Sequence, residues 1–251
     1  MPLNYLRGFT HPQRTDRNNR RLGRVLAFVA GAANAGGYLA VGQYTSHMSG
    51  IVSSLADNLA LGEIGLVLAG LSALLAFVCG AATSAVLINW GRRRRAASEY
   101  ALPLLLEATL LMCFGLFGAN LEDHRLLSVS LVVALLCFVM GLQNAIITKI
   151  SKAEIRTTHV TGMVTDIGIE LGKLLYWNLD ARGTGAPRVT ADWPKLGLLA
   201  SLLGMFFIGG LVGALGFKHV GFVLTVPLAL MLIVLAAVPV FDDVFGRRRQ
   251  Q

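Results

Sequence analysis

"GIVSSLADNLALG" (residues 50–62) is an apolar, helix-forming stretch bounded by glycines that carries Asp57 and Asn58 near its centre. A helix needs about 20 apolar residues to cross a bilayer, and these 13 fall short. Whether the stretch crosses or turns back sets the direction of everything after it. Arg17, Arg20, Arg21 and Arg24 precede the apolar segment before it, and Arg92 to Arg95 follow the apolar segment after it. Basic flanks of membrane segments stay cytoplasmic, so an even number of crossings separates the two clusters. Three apolar segments lie between them. The short one is therefore expected to enter and leave on the same side, as a re-entrant segment.

The solvent follows from composition. Of 251 residues, 55% are hydrophobic and only 14% charged, with a mean hydropathy of +0.63. Those values describe an integral membrane protein. The net charge of +8 comes from arginines beside apolar segments, where they orient the chain and meet anionic lipid. Nucleic acid is accordingly not an expected partner. Cys79, Cys113 and Cys137 fall in apolar runs and read as small buried hydrophobes, with no disulfide framework or metal motif.

The chain repeats itself. "FVAGAANA" (28–35) returns as "FVMGLQNA" (138–145), and "TSHMSG" (45–50) as "TTHVTG" (157–162). Further on, "CGAATSA" (79–85) matches "IGGLVGA" (208–214), and "LPLLLEATLL" (102–111) matches "VPLALMLIVL" (226–235). The paired arginines before residue 24 mimic a secretory or twin-arginine signal, but a cleaved peptide has no reason to match the interior. Each half reads as segments A, B, C and D, at about 24–42, 49–62, 65–91 and 101–119, then 127–148, 161–178, 195–216 and 220–240. The organisation is a basic tail (1–23), a first repeat (24–119), a second repeat (120–242) and a basic end (243–251).

Positive flanks put both sides of the second B inside as well: Lys149, Lys152 and Arg156 before it, Arg182, Arg188 and Lys195 after it. The two A segments then run in opposite directions, and the loops at Glu122–Arg125 and Lys218 fall outside. The expected fold is an all-α integral membrane protein, an inverted repeat whose halves each hold three transmembrane helices plus a re-entrant extended segment and half-helix. Both termini are cytoplasmic, and the linker 178–195 is a cytoplasmic loop.

A five-to-six-residue extended entry such as "QYTSHM" (43–48) covers about 18 Å, and the 13-residue helix about 20 Å. The turn then lies near the membrane middle, at Ser49-Gly50 and Thr161-Gly162, where Ser or Thr would cap a half-helix whose first N–H groups are free. Irregular backbone at that depth requires burial in protein or a watery cavity. Two half-helix N-termini facing each other favour negative charge. Candidate solute contacts are Thr45, Ser46, His47, Ser49 and Gly50 in one half and Thr157, Thr158, His159, Thr161 and Gly162 in the other. Packing and capping alone would also account for the glycines and hydroxyls, and an imidazole bonded to a backbone carbonyl would account for each histidine. Asn34 and Asn144, at equivalent places in the A helices, are expected to bond the re-entrant backbone and secondarily to touch solute. Two histidines without a third ligand are a weak metal signal, so no metal or other cofactor is expected.

Ionisable residues in apolar segments are functional candidates by default. Asp57, Asp166, Glu170 and Glu107 are the candidates for proton coupling. Glu170 and Lys173 could simply neutralise each other, and Glu107 breaks the repeat because its counterpart is Met231.

"LAFVAGAANAGGYL" (26–39), "TSHMSG" (45–50), "FVMGLQNAIITKI" (138–150) and "IRTTHVTGMVTDIG" (155–168) resemble the YoaK-like family of uncharacterised bacterial membrane proteins, over nearly the whole chain. The first half departs from the family pattern: Asn34 stands where Asp is usual, and Ile51 follows Ser49-Gly50 where Thr-Gly-Asn is common. The resemblance implies a bacterial inner-membrane protein of about six spans and supplies no substrate.

The leading functional expectation is a small secondary transporter or channel with a midplane site between the half-helix N-termini. A small anion or weak acid suits the helix dipoles, and proton coupling suits the nearby carboxyls. A membrane-embedded enzyme or a non-transporting scaffold is the alternative; no Ser-His-Asp order, HExxH or CxxC supports catalysis, and no catalytic residue is assigned. Expected partners are membrane lipid, the small solute and a second copy of the chain.

Overall fold

The structure is a computed structural model that describes residues 16–94, 99–119, 125–151, 155, 157–176 and 188–246. Among these the chain is entirely helical: α1 (Asp16–Val41), α2 (Met48–Leu61), α3 (Ile64–Arg93), α4 (Ala101–Ala119), α5 (Arg125–Ile150), α6 (Val160–Leu175), α7 (Trp193–His219), a 3-10 turn (Gly221–Leu224) and α8 (Thr225–Gly246). The loop at 120–124, Lys152, Arg156, Arg182 and the terminal arginines Arg247 to Arg249 lie outside the described residues, as do the first 15 residues of the expected tail.

Helix punctuation follows the glycines. Gly42 and Gly62 both adopt positive φ (70° and 75°) and stop α1 and α2. At Gly62 the arriving N–H groups of Gly62 and Glu63 satisfy the Leu59 and Asn58 carbonyls, at 3.2 and 2.9 Å. At the start of α7, Asp192 accepts from the Lys195 N–H at 3.0 Å, and Pro194 occupies the first turn, where its missing N–H costs nothing.

Among the described residues, five helices are long and apolar enough to cross a bilayer, within α1, α3, α4, α5 and α7. The expected sixth, the second D, opens with the 3-10 turn and not as one continuous helix from residue 220, and its described apolar stretch is Gly221–Ala237. α2 and α6 have 14 and 16 residues, too few for a crossing. The first A begins eight residues earlier than its apolar run suggests. Arginine is a good helix former, so α1 extends through the basic stretch, and Leu22 in it is fully buried. In the same way α8 runs to Gly246, past the expected boundary at 242. Trp193, assigned by sequence to the linker, begins α7.

Packing exchanges the halves. α1 of the first half packs most extensively on α7 of the second, α5 of the second on α3 of the first, and α4 on α8, while α1 and α5 touch each other at the centre. Four Phe-x-x-Gly turns make the exchanged contacts. The hydrogen of Gly31 faces the Phe206 carbonyl and that of Gly209 the Phe28 carbonyl; a methyl at either position would overlap the facing oxygen. Gly80 meets the Phe138 carbonyl and Gly141 the Phe77 carbonyl in the same reciprocal way. Backbones can approach this closely only where both partners lack side chains, which is how membrane helices gain van der Waals contact and weak Cα–H···O bonds without a hydrophobic driving force.

α1 and α5 are the most enclosed spans and α3 the least. Leu66, Leu68, Leu75, Val78 and Val86 on α3, and Phe207, Leu211 and Leu215 on α7, are exposed apolar residues of the kind lipid covers. At one end, Phe114, Phe217 and Phe222 cluster with ring centroids 5.5 to 6.0 Å apart and fix the 3-10 turn against α4 and α7.

Substituting Gly80→Ala or Gly209→Ala is expected to destabilise the fold by roughly 1–3 kcal/mol, the cost of overpacking, measured as unfolding free energy in mixed micelles. Gly197→Ala and Gly204→Ala, where an added methyl meets nothing within 4 Å, should be nearly neutral. Equal effects at all four positions would remove the crossing from its structural role.

Candidate functional site

The two polar strings adopt nearly the same backbone. His47 (φ −95°, ψ 72°) and His159 (φ −84°, ψ 64°) are the residues from which α2 and α6 start. Their carbonyls accept the first helical bonds, from Ile51 N and Met163 N, both at 3.1 Å. Sequence reasoning had placed the turn one or two residues later, with Ser49 and Thr161 as caps. The structure puts both inside the first helical turn, and neither helix has a side-chain cap. A hydroxyl caps only from the position just before the helix, and a histidine holds that position.

Gly50 and Gly162 also change role. Neither has positive φ. Each lies one turn beyond its histidine, where a methyl would come 3.0 Å from His47 Nδ1 or 2.5 Å from His159 Nδ1. The glycines make room for imidazole rings folded back beside the N-termini of α2 and α6.

The A helices tether these turns. Asn34 Oδ1 accepts from the Ser46 N–H and hydroxyl, at 3.3 and 3.0 Å. Asn144 Oδ1 accepts from the Thr158 hydroxyl at 2.8 Å. One half is held through backbone and hydroxyl, the other through hydroxyl. Thr45 and Thr157 are fully buried, with hydroxyls that lack a partner, and the Thr45 carbonyl accepts from Cys137 Sγ at 3.4 Å. They stand outside the site.

Between the turns lies one cavity of about 900 Å³. Equivalent residues of both halves line it: Asn34 and Asn144, His47 and His159, Ser46 and Thr158. Ser49 and Thr161 join them, as do Met48 and Val160. Phe77 and Phe206 form part of the wall, with Tyr44 and Thr148. Tyr44 stacks on Tyr38 at 4.7 Å between ring centroids. The sequence reading missed both phenylalanines. Their signal was the Phe-x-x-Gly motif present in both C helices and both A helices, whose glycine sets the crossing and whose phenylalanine then has one direction left to face.

None of the four candidate carboxyls lines the cavity. Asp57 is exposed on α2. Asp166, half-exposed, pairs with Lys195 at 3.7 Å. Glu170 is buried and fully engaged: Lys173 Nζ lies at 2.8 Å, the Asp192 N–H donates at 2.9 Å, and Lys195 Nζ lies at 3.8 Å. Glu107 is enclosed between α4 and α5, where Gln143 Nε2 donates to Oε1 at 2.7 Å and Oε2 has no partner. Among the described residues no group of three His, Cys, Asp or Glu gathers where a metal could sit.

A family model described as "Protein of unknown function (DUF1275)" matches residues 22–238. The chain belongs to that family. It is 27% identical over 157 residues to the UPF0700 transmembrane protein YoaK of Bacillus subtilis (strain 168), an alignment covering 61% of this chain and 67% of the relative. No solved structure matches. Family and fold agree on a multi-pass membrane protein homologous to a bacterial transmembrane protein. The matched region includes every residue that lines the cavity.

If the glycines seat the imidazoles, Gly162→Ala should move the ¹³Cε1 resonance of His159 and leave that of His47 in place. Gly50→Ala, with more clearance, should shift His47 by less. An unmoved His159 signal in Gly162→Ala would show that the ring is held by something other than that space.

Proposed function

We propose that this protein is a small transporter or channel whose solute site is the cavity between the two histidine turns. The observation that carries the reading is that both halves contribute the same polar set, asparagine, hydroxyl and histidine, to one half-open cavity in an otherwise apolar chain. A scaffold has no use for that space, and buried polar groups are costly unless something engages them.

The architecture proposed for it is the inverted repeat of six crossings, in a bacterial plasma membrane with both termini cytoplasmic. Three features support it: the parity required by the arginine clusters, the shortness of α2 and α6, and the exchange of A and C helices between halves. In this arrangement α2 and α6 dip in from opposite faces, and their N-termini, at Met48 and Val160, bring partial positive charge to the cavity. A small anion or weak acid is the solute class that this field favours. For proton coupling, Glu107 is the strongest of the four carboxyls: Asp57 is exposed, Asp166 and Glu170 are paired with lysines, and only Glu107 is enclosed with no cation against it among the described residues.

Two measurements test this. Topology comes first: in a background lacking Cys79, Cys113 and Cys137, a single cysteine at Lys218 should react with an impermeant thiol reagent applied from outside, and one at Arg94 should not. Labelling at Arg94 would mean that α2 crosses fully and would dismantle the midplane site. Uptake of labelled anions and weak acids into proteoliposomes is the second. The intact chain should carry at least one of them, and the double substitution His47→Leu with His159→Leu should return uptake to that of empty liposomes. Unchanged uptake in a folded double variant would place the pathway elsewhere.

A further inference from the structure

We infer that the solute is an organic, acceptor-bearing molecule with an apolar body, of the monocarboxylic acid class, and not an inorganic anion. The inference rests on the reading of the cavity as the solute site and specifies what that site is shaped to hold.

Size is the first argument. The cavity of about 900 Å³ lies at the upper end of the range for sites that enclose organic ligands, roughly 300–1,000 Å³. Nitrate or formate needs only about two waters' share of volume, ~60 Å³. Such an ion would touch one wall and remain largely hydrated, and the opposite half would contribute nothing to its recognition.

The second argument concerns which atoms the site offers. The Ser46 backbone N–H can only donate, so the atom of Asn34 that receives it is the oxygen. That assignment leaves the Asn34 Nδ2 group, with both hydrogens, without a partner among the described residues. Asn34 is 9% exposed and lines the cavity. An amide held this way is a fixed donor that seeks an acceptor. Asn144 stands at the equivalent place in the other half and bonds only the Thr158 hydroxyl, a group that either donates or accepts, so this amide can turn its donor or its acceptor to the cavity. The Val160 N–H is taken by the Thr158 carbonyl at 2.9 Å, and the next N–H groups, of Ser49 and Gly50 in α2 and Thr161 and Gly162 in α6, have no intrahelical acceptor.

The walls supply the third. Phe77 and Phe206, with Met48 and Val160, give the cavity apolar surface from both halves. No Asp, Glu, Lys or Arg is among the described lining residues, so neither lysine nor arginine is there to pair with a multivalent anion. Donors at the turns and phenyl rings on the walls fit a carboxyl or similar acceptor group attached to an aromatic or aliphatic body.

Equilibrium binding on the purified full-length chain tests this with ¹⁴C-benzoate and ¹⁴C-hexanoate, competed by formate, nitrate, phosphate and benzylamine. The expected result is saturable binding of benzoate or hexanoate that a large excess of formate, nitrate or phosphate does not displace. Asn34→Leu should weaken it about ten-fold, the loss of one well-placed donor. Phe206→Ala should weaken benzoate binding, with Phe77→Leu as the second wall variant if Phe206→Ala fails to fold. Micelle partitioning is recognised by insensitivity to all three substitutions and would overturn the inference. Displacement by nitrate or formate at comparable concentration would also overturn it while leaving the cavity as a solute site. Conversely, specific benzoate binding without flux in proteoliposomes would sustain this inference and remove the transport reading.

Discussion

Four glycines resting on four phenylalanine carbonyls hold the two halves of this protein together. Lipid provides little hydrophobic reason for one membrane helix to adhere to another, so association depends on contact area and weak polar bonds. The Phe-x-x-Gly crossings supply both by letting α1 meet α7, and α5 meet α3, at backbone distance. Because each crossing joins an A helix of one half to a C helix of the other, neither half completes its packing alone.

One residue type serves two ends there. The glycine of each motif brings the backbones together, while the phenylalanine three residues earlier on each C helix reaches the wall of the cavity. On the A helices, the asparagine three residues past the glycine holds the histidine turn in place, Asn34 through Ser46 and Asn144 through Thr158. Seam, wall and tether are thus successive turns of the same helices. A shift of one seam would move the wall and the turn together.

The halves are equivalent around the cavity and different away from it. Half-helix α6 is secured to the start of α7 by Glu170, Lys173, Lys195 and the Asp192 N–H. Half-helix α2 has no such network: the residue equivalent to Glu170 is Asn58, which bonds only Ser54 on its own helix, at 3.2 Å, and α2 leans on α3 through apolar contacts such as Leu55 beside Gly70. The Glu107–Gln143 pair likewise has Met231 and Ala33 as its counterparts. Ionic attachment on one side and apolar attachment on the other give the two turns different costs of movement. A proton on Glu107 would act on the half whose asparagine, Asn144, follows Gln143 in sequence.

Composition, the A-B-C-D repeat and the pairing of asparagine with the histidine turn were legible in the sequence, because each is a local pattern: apolar run length, arginine flanks and short matching strings. The rough extent of most of the described helices followed from the same patterns. Which residue starts each half-helix was not legible, since Ser49 and Thr161 are better caps by propensity and only the tether to the A helix draws the turn back to His47 and His159. The Glu170–Lys173 pair and the asymmetry of Glu107 were readable in sequence; the exposure of Asp57, the reach of Lys195 to Asp166 and Glu170, and the enclosure of Glu107 depend on what the other helices bring beside them. Phe77 and Phe206 were marked only by the Phe-x-x-Gly motif they share with Phe28 and Phe138: among many apolar residues in a membrane helix, the crossing decides which ones turn from lipid toward the cavity. The sequence determined which groups could not rest in lipid, and the exchange of helices between halves decided which of them meet.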